Sequence, residues 1–344
     1  MNNSLKILNK YLYINMSKLL GINTKLNEIK ISSESPQGND KIKSLEKAGD
    51  IHKEVRRHLH NILKPGLKIT DIVKIIENKT GELSNKNESI NDGIGFPVGI
   101  SINSCAAHFH PEINDNTTLK KNDVVKIDFG TEVNGWIIDS AFTVYFDEKH
   151  NNLVKAVKEA TETGIKNAGI DVDINDWAIA NKEVMNSYDI KPITNLGGHN
   201  IEKEIIHGGY FLPSTPNDKL VYKRMTEGVY AIETFGSTID DYVHETGESN
   251  IFRIKPDGNS SKLKMESSKK TLNTIKRKFK TLPFTNRYLS EIQNCKTQLD
   301  ILTKNDIIYS YPPLCVKNGI TAQYEHTIFI GENTKKIFSN SDDY

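Results

Sequence analysis

The chain has 344 residues, of which 37% are hydrophobic and 26% are charged, and its formal net charge is +1. This composition can form a sizeable core in one large α/β or α+β domain, or in two smaller domains. The three cysteines form no CxxC pair, which argues against a disulfide framework or a cysteine zinc finger and suits a reducing cytoplasm. No apolar run reaches the ~18 residues of a membrane-spanning helix, so no membrane partner is expected.

Residues 1–42 are predicted to be an N-terminal tail and linker. The first 27 residues contain lysines but no acidic residue, and their apolar residues recur at helical spacing. This pattern favours a short surface helix or a frayed tail. A mitochondrial presequence is the alternative, although such segments are normally rich in arginine, which is absent here. Residues 31–42 are polar and contain proline and glycine, as linkers do.

The remainder, residues 43–344, is predicted to be the main domain, with helices and strands in alternation. Apolar periodicity, glycines and prolines mark the ends of these elements. Helices are predicted at 43–63, 68–80, 151–168 and 174–188, and extended or strand segments at 95–107, 123–130, 136–146 and 306–338.

A basic segment interrupts the strand-rich pattern of the C-terminal part. Residues 253–305 contain 13 Lys/Arg and 4 Asp/Glu and look helical. We therefore interpret residues 250–310 as a helical insertion subdomain. A solvated, lysine-rich surface is the simplest interpretation of its charge, and a phosphate-binding face that contacts the ribosome is the other.

Four carboxylates and one histidine lie within or beside apolar, strand-like segments. An ionised carboxylate buried alone costs several kcal/mol, and no lysine or arginine lies close enough in sequence to pair with all four. Divalent metal satisfies such a set, and a site of this kind generates a hydrolytic nucleophile from water. The candidate ligands are Asp128 in VVKIDFG, Asp139 in WIIDSAFTVYF, His199 in NLGGHN, Glu233 in VYAIETFG and Glu325 in TAQYEHTIFI.

Asp128 and Asp139 form the firmest part of this prediction. Asn134-Gly135 between them is a strong signal for a two-residue hairpin turn. If that turn forms, Asp128 lies opposite Ala141, two residues from Asp139, so both carboxylates share one face about 5–8 Å apart. In the alternative, one Asp belongs to the turn and the other faces solvent.

The other three candidates are individually weaker. A single Glu in a strand is often an ion-pair partner, and a single His is often structural. His199 follows Gly197-Gly198, where small residues allow a loop to approach a site closely. Oxygen ligands with one imidazole favour Mn, Fe, Co or Zn over Mg or Ca.

Six segments in order resemble the eukaryotic type 2 methionine aminopeptidases over most of the chain, from about residue 43 to the end. The segments are FPVGISINSCAAHFHP (96–111), VVKIDFGTEVNGWIIDSAFTVYF (124–146), NLGGHNIEKEIIHGG (195–209), VYAIETFGS (229–237), YPPLCV (311–316) and AQYEHTIFI (322–330). The resemblance implies an α+β pita-bread fold, in which helices flank a curved antiparallel sheet, with a helical insertion. It also implies a cytoplasmic, monomeric enzyme that removes the initiator methionine from nascent chains and prefers a small second residue.

The resemblance also implies specific roles. Asp128 would bind one of two divalent ions and His199 with Glu233 the other, while Asp139 and Glu325 would bridge them. Glu233 would also accept a proton. His207 would bind the substrate amide or the oxyanion, and His108 would contact the scissile region and be the target of fumagillin-like epoxides. Phe96, Ile206, His244 and Tyr311 would line the methionine pocket, although ordinary core packing is the other interpretation.

Two other functions remain open at this stage. The first is an X-Pro peptidase of the same fold, which FPVGISIN, the basic insertion and YPPL argue against. The second is a non-catalytic pita-bread protein that binds ribosomes or RNA, which the intact set of ligands argues against. Trp136 departs from the resemblance, because relatives often have a basic or polar residue there.

Overall fold

The computed structural model describes residues 36–85, 89–220 and 222–343, with side chains from residue 40 onward. The predictions for residues 1–35, including the tail and the presequence, therefore lie outside the described residues. Helix α1 (Pro36–His60) includes residues 36–42, so this part of the predicted linker is helical. Proline suits the first turn of a helix, because the N–H that it lacks would have no intrahelical partner.

The N-terminal half consists of two helices and four strands. After α1 come α2 (Ile69–Leu83), β1 (Ile94–Ile102), β2 (Cys105–Ala107), β3 (Val124–Val133) and β4 (Trp136–Tyr145). Strands β1, β3 and β4 form an antiparallel sheet in the order β1-β3-β4. Helix α2 continues through Gly81 to Leu83 instead of ending at residue 80, because a single glycine is tolerated within a helix. These elements contribute to one large buried apolar cluster.

The C-terminal half begins with two packed helices, α3 (Asn151–Asn167) and α4 (Ile174–Ser187). Four strands follow: β5 (Lys191–Pro192), β6 (Gly197–Ile201), β7 (Phe211–Pro213) and β8 (Gly228–Ser237). Further along the chain come β9 (His244–Glu245), β10 (Ile251–Ile254), α5 (Glu266–Phe279), β11 (Phe284–Thr285), α6 (Cys295–Lys304), β12 (Ile308–Ser310), β13 (Leu314–Cys315), β14 (Thr321–Gly331) and β15 (Thr334–Ile337). None of the described helices is long and apolar enough to cross a bilayer.

Within the described residues, three further sheets contain strands of this half, and one of them, in the order β2-β13-β9, also includes β2. The main one has the order β15-β14-β8-β6-β7, with β5 also paired to β8. The segment predicted as a helical insertion contains α5 and α6, together with a small sheet in the order β11-β10-β12. Its buried apolar residues form a cluster separate from the large one. The insertion is therefore a mixed helix-and-sheet unit with its own core.

Side-chain hydroxyls join the two halves along β4 and β14. Asp139 N donates to Thr327 Oγ1 at 2.7 Å, and the same hydroxyl donates to Asp139 O at 2.7 Å. Ser140 Oγ donates to Glu325 O at 2.7 Å. All these groups are buried, where each satisfied hydrogen bond avoids a desolvation penalty. This seam fixes Asp139 on one sheet against Glu325 on the other.

Candidate metal centre

The turn between β3 and β4 is the predicted two-residue hairpin. Val133 pairs with Trp136, and the two residues between them, Asn134 and Gly135, have φ of +54° and +84°. Positive φ at both central positions is what a type I′ turn requires, and Asn and Gly tolerate it best. The register predicted from the sequence is therefore confirmed.

This register places the first two candidate ligands on one face of the sheet. Asp128 pairs with Ala141, as predicted, and Asp139 pairs with Gly130. Side chains alternate along a strand, so residues two apart share a face. Asp139 is buried and Asp128 is half-buried beside an internal cavity. The alternative, with one Asp in the turn and the other facing solvent, is wrong.

Glu233 and Glu325 lie directly opposite each other on neighbouring strands. Glu233 is on β8 and Glu325 on β14, and the ladder pairs them. Both are buried, at 8% and 1% exposure. Like charges directly opposite each other destabilise a sheet, so this pair requires protons or cations between the carboxylates.

His199 is on strand β6, where two preceding glycines permit close strand pairing. A Cβ on Gly198 would lie 2.3 Å from Ala231 O, and one on Gly197 would lie 2.1 Å from Leu212 O. These glycines allow close pairing between strands of one sheet, whereas the sequence pattern predicted a loop that approaches the site. The Nε2 atom of His199 is 3.4 Å from Asp139 Oδ2 and 3.7 Å from Glu233 Oε1.

The electrostatics of these side chains fit a divalent metal. Burial, reinforced by the nearby Asp139 charge, raises the pKa of Asp128, Glu233 and Glu325 well above the usual carboxylate range. Within the described part of the chain, buried Asp128 Oδ1 has no hydrogen-bond partner. Ligand atoms of Asp139, His199 and Glu325 lie within 4.8 Å of one another. A cation among these groups would compensate their charge and occupy the unpartnered oxygen.

Gln323 belongs to the site and the sequence prediction missed it. Its Nε2 donates to Glu233 Oε2 at 3.2 Å and lies 3.5 Å from Asp128 Oδ2. The amide therefore links carboxylates from two sheets. The alternation of side chains along β14 could have predicted this residue, because Gln323 precedes Glu325 by two positions and therefore lies on the same face of the strand.

The five candidate ligands open onto a cavity of about 330 Å³. Five of the six other predicted site residues also line this cavity: Phe96, Ile206, Tyr311, His108 and His207. His244 does not line it. That side chain is exposed on β9, with its ring centroid 5.1 Å from that of Tyr242.

Two histidines and a tyrosine form the wall next to the ligands. The His207 ring centroid is 4.5 Å from that of His199 and 5.8 Å from that of Tyr311, and His108 is 5.5 Å from Tyr311. Burial lowers the pKa of His108 to about 4. Burial, together with His199 and His108, lowers the pKa of His207 well below its usual value, although its ring remains accessible from the cavity. Both imidazoles are therefore neutral at pH 7.

Arg253 is a second residue that the sequence prediction did not assign to the site. It is 8% exposed, and its Nε donates to Tyr311 Oη at 3.0 Å. The guanidinium also lies 5.1 Å from the Tyr309 ring. Arg253 is on β10, so the inserted unit orients the tyrosine that contacts both cavity histidines. No motif marks this contact, because it joins residues 58 positions apart.

Buried carboxylates and one imidazole that are open to a cavity on one side form a candidate catalytic metal site, because structural metal sites are closed by protein ligands. The fold and the site together therefore describe a metal-dependent hydrolase.

Comparison with known proteins places the chain more narrowly. Residues 43–256 match the model of metallopeptidase family M24. The chain is 42% identical over 321 residues to methionine aminopeptidase 2 of Schizosaccharomyces pombe, covering 90% of this chain and 75% of that protein. It is 41% identical to methionine aminopeptidase 2 of Debaryomyces hansenii, covering 90% of this chain and 76% of the relative. The chain belongs to metallopeptidase family M24 and, within it, to the methionine aminopeptidases of type 2.

Solved structures show the same pita-bread fold. A thermophilic Arx1 superposes with a TM-score of 0.76 at 19% identity, covering 91% of this chain and 93% of the other. Methionine aminopeptidase from Rickettsia prowazekii gives a TM-score of 0.61 at 17% identity, covering 91% and 100%. Prolidase from Pyrococcus furiosus gives 0.54 at 14% identity, covering 88% and 64%. The fold expected from the sequence resemblance is confirmed.

Proposed function

We propose that this chain removes the initiator methionine from nascent proteins at a site that holds two divalent metal ions, of Mn, Fe, Co or Zn. Asp128 would hold one ion and His199 with Glu233 the other, while Asp139 and Glu325 would contribute carboxylates to both. The convergence of these ligands, from five strands of two sheets, on one cavity supports the proposal. When bound, such ions lower the pKa of water and polarise the substrate carbonyl.

The protein groups around the ions act as base and as hydrogen-bond donors. Glu233 accepts the proton of the attacking water, a role that suits a carboxylate whose pKa is raised by burial. His207 donates a hydrogen bond to the developing oxyanion, and as a neutral imidazole it costs little desolvation. Gln323 keeps Glu233 oriented through the bond at 3.2 Å.

The apolar part of the cavity selects the substrate. Phe96, Ile206 and Tyr311 bind the methionine side chain, and Gly130 leaves room for the Phe96 ring, since a Cβ there would lie 2.4 Å from it. His108 contacts the scissile region and is the group that an epoxide of the fumagillin type alkylates. His244 contributes to this pocket only if β9 moves toward the substrate. Crowding beside the pocket restricts the second residue of the substrate to small side chains.

Release of methionine from Met-Ala-Ser by the purified protein tests this function. We expect turnover with added Mn²⁺ or Co²⁺, loss of activity after chelation, and recovery when the ion is restored. An X-Pro substrate under the same conditions separates the proposal from the X-Pro peptidases that share the fold. Preference for the proline peptide, or no methionine release with any of the four ions, would reject the proposal.

We also propose that the enzyme works in the cytoplasm and contacts the ribosome through residues 253–305. The three unpaired cysteines suit a reducing compartment, and the excess of lysine in this segment suits a phosphate-rich partner. Changing Lys269, Lys270 and Lys276 to Glu should weaken co-sedimentation with ribosomes at low salt. Unchanged co-sedimentation would show that this face is only a solvated surface.

A further inference from the structure

A second groove lies outside the metal centre and shares no lining residue with the cavity there. Its volume is about 1040 Å³. Five separate segments form its walls: the start of α1, residues 89–90, the β3–β4 hairpin, the turn after β6 and the end of α5. We call it the Trp136 groove, and its charged and aromatic lining residues are Asp40, Lys41, Lys43, Lys47, Trp136, Lys203, Glu204, Arg277 and Lys280.

Hydrogen bonds between these segments hold the groove in shape. Asn134 Nδ2 donates to Ser44 Oγ at 3.1 Å and so ties the hairpin to α1. Glu204 N donates to Gly135 O at 2.7 Å and ties the turn to the hairpin. Lys280 Nζ donates to Glu204 Oε1 at 2.6 Å and ties α5 to the turn. The walls are therefore preorganised, which lowers the entropic cost of binding.

The lining is strongly basic. It contains six Lys/Arg and two acidic residues, and one of those acids, Glu204, is already paired with Lys280. Lys43, Lys203 and Arg277 are exposed and form no ion pair with any other described residue. Clustered cations of this kind attract a chain of phosphates. Residues 1–35 carry five lysines and two glutamates, so their charge does not complement the groove.

Trp136 adds an aromatic surface to this basic groove. It is half-buried, and Lys41 Nζ lies 5.8 Å from its ring centroid and 4.5 Å from that of Phe329. Grooves that bind single-stranded nucleic acid combine cations along the backbone with aromatic rings on which bases stack. An acidic peptide would use the cations but would gain little from the indole. The lining therefore favours a nucleic acid strand over an acidic protein segment.

We propose that the Trp136 groove binds single-stranded RNA, with a base against Trp136 and phosphates on Lys43, Lys203 and Arg277. The choice of RNA over DNA rests on the proposed function, because nascent chains emerge at the RNA-rich surface of the ribosome. The groove extends the basic surface of residues 253–305 across to α1, since Arg277 and Lys280 belong to that segment.

Fluorescence anisotropy with a labelled ten-nucleotide oligo(U) RNA tests the proposal on the full-length protein. Trp136→Ala should weaken binding by about 5-fold or more, the loss of one base stack, whereas Trp136→Phe should keep most of the affinity. Lys43→Glu combined with Lys203→Glu should weaken binding. It should also make the slope of log affinity against log salt concentration shallower by about 0.7 for each phosphate that the protein no longer neutralises. Thermal unfolding of each variant checks that it remains folded.

Matched controls separate the groove from general surface charge. Tyr222→Ala removes an aromatic ring that is 87% exposed and lies outside the groove, and Lys182→Glu with Lys191→Glu reverses two exposed charges on another part of the surface. Both controls should leave RNA affinity within about 2-fold of wild type. For the lysine control, this range includes the small electrostatic loss that any charge reversal causes. Equal effects of groove and control variants, or wild-type binding by Trp136→Ala, would overturn the proposal.

Two further readouts distinguish the possible ligands and functions. A poly-glutamate peptide of equal length should bind more weakly than the RNA and should be insensitive to Trp136→Ala. Tighter binding of the peptide would identify an acidic protein as the ligand and reject RNA. Met-Ala-Ser cleavage should be unchanged in all groove variants. A protein that cleaves this peptide but does not bind RNA contradicts only the groove proposal, and the reverse result contradicts only the peptidase proposal.

Discussion

Asp139→Asn should lower the rate of methionine release by more than about 100-fold, because even residues that only orient metal ligands contribute about 10–100-fold. The substitution keeps the size of the side chain and leaves the backbone bonds to Thr327 in place. It replaces an anionic oxygen near His199 and Glu325 with a neutral amide. The site therefore loses the charge that would bridge its ions. Steady-state kinetics on Met-Ala-Ser with saturating Mn²⁺ measure the effect.

Metal content and a matched variant make the result specific. Elemental analysis after dialysis should find less metal per chain in Asp139→Asn than in wild type. The midpoint of thermal unfolding of the metal-free variant should be equal to that of metal-free wild type or higher. Asp218→Asn makes the same chemical change at an exposed position and should behave as wild type. Full activity and full metal content in Asp139→Asn would show that this carboxylate is not a ligand.

Asp343→Asn should lower the free energy of unfolding by about 2–3 kcal/mol, somewhat less than the ~3–5 kcal/mol for breaking a fully buried ion pair. Asp343 clamps the C-terminal segment to α1: its Oδ2 accepts from Arg56 Nε at 3.0 Å and its Oδ1 from Arg56 Nη2 at 2.9 Å. The Arg56 side chain is 0% exposed, and that of Asp343 is 12% exposed. Removing the anion takes away the carboxylate that accepts two hydrogen bonds from this buried guanidinium, and denaturant titration at pH 7 measures the cost.

The same pair predicts a pH dependence. Burial opposes ionisation of Asp343, but Arg56 and Ser341 together outweigh burial and hold the pKa of that carboxyl well below its usual range. A depressed pKa means that this stabilisation is complete above the unfolded value of about 3.9 and is lost as the pH falls toward the folded value. The difference between wild type and Asp343→Asn should therefore be constant from pH 7 to 5 and shrink below about pH 4.

Asp342→Asn is the matched control for the clamp. Its side chain is 90% exposed and lies 3.7 Å from Arg57, so its removal should change stability by less than about 0.5 kcal/mol. A stability difference for Asp343→Asn that is near zero at pH 7, or that grows on acidification, would contradict the role of the clamp.

The local pattern of residues was sufficient to predict the hairpin that carries Asp128 and Asp139. Asn134-Gly135 specifies the turn, the turn specifies the register, and the register places both carboxylates on one face. The position of Glu233 opposite Glu325 could not be derived in this way. These two residues are 92 positions apart, and no turn signal links their strands. Their apolar, strand-like context marked both residues as candidate ligands together with the hairpin carboxylates, but only the structure shows that they pair directly across β8 and β14.

Gln323, Arg253 and the groove around Trp136 are features that were recognised only in the structure. Gln323 touches carboxylates of both sheets, and Arg253 reaches Tyr311 across the inserted unit. Both contacts depend on how separate elements pack. Residue spacing places Gln323 on the same face of β14 as Glu325, but it does not show which carboxylates that face meets. His244 is the one residue of the predicted methionine pocket that does not line this cavity, because it lies exposed on β9.

The amino-acid sequence by itself determined the periods of the helices and strands, the hairpin register and the chemical types of the ligands, because these depend on residues that are neighbours along the chain. The tertiary structure alone decided which carboxylates face each other, which lysines surround Trp136, and that Arg56 is neutralised by the C-terminal Asp343. These depend on the packing of distant segments, where burial turns weakly interacting surface charges into groups that require a partner.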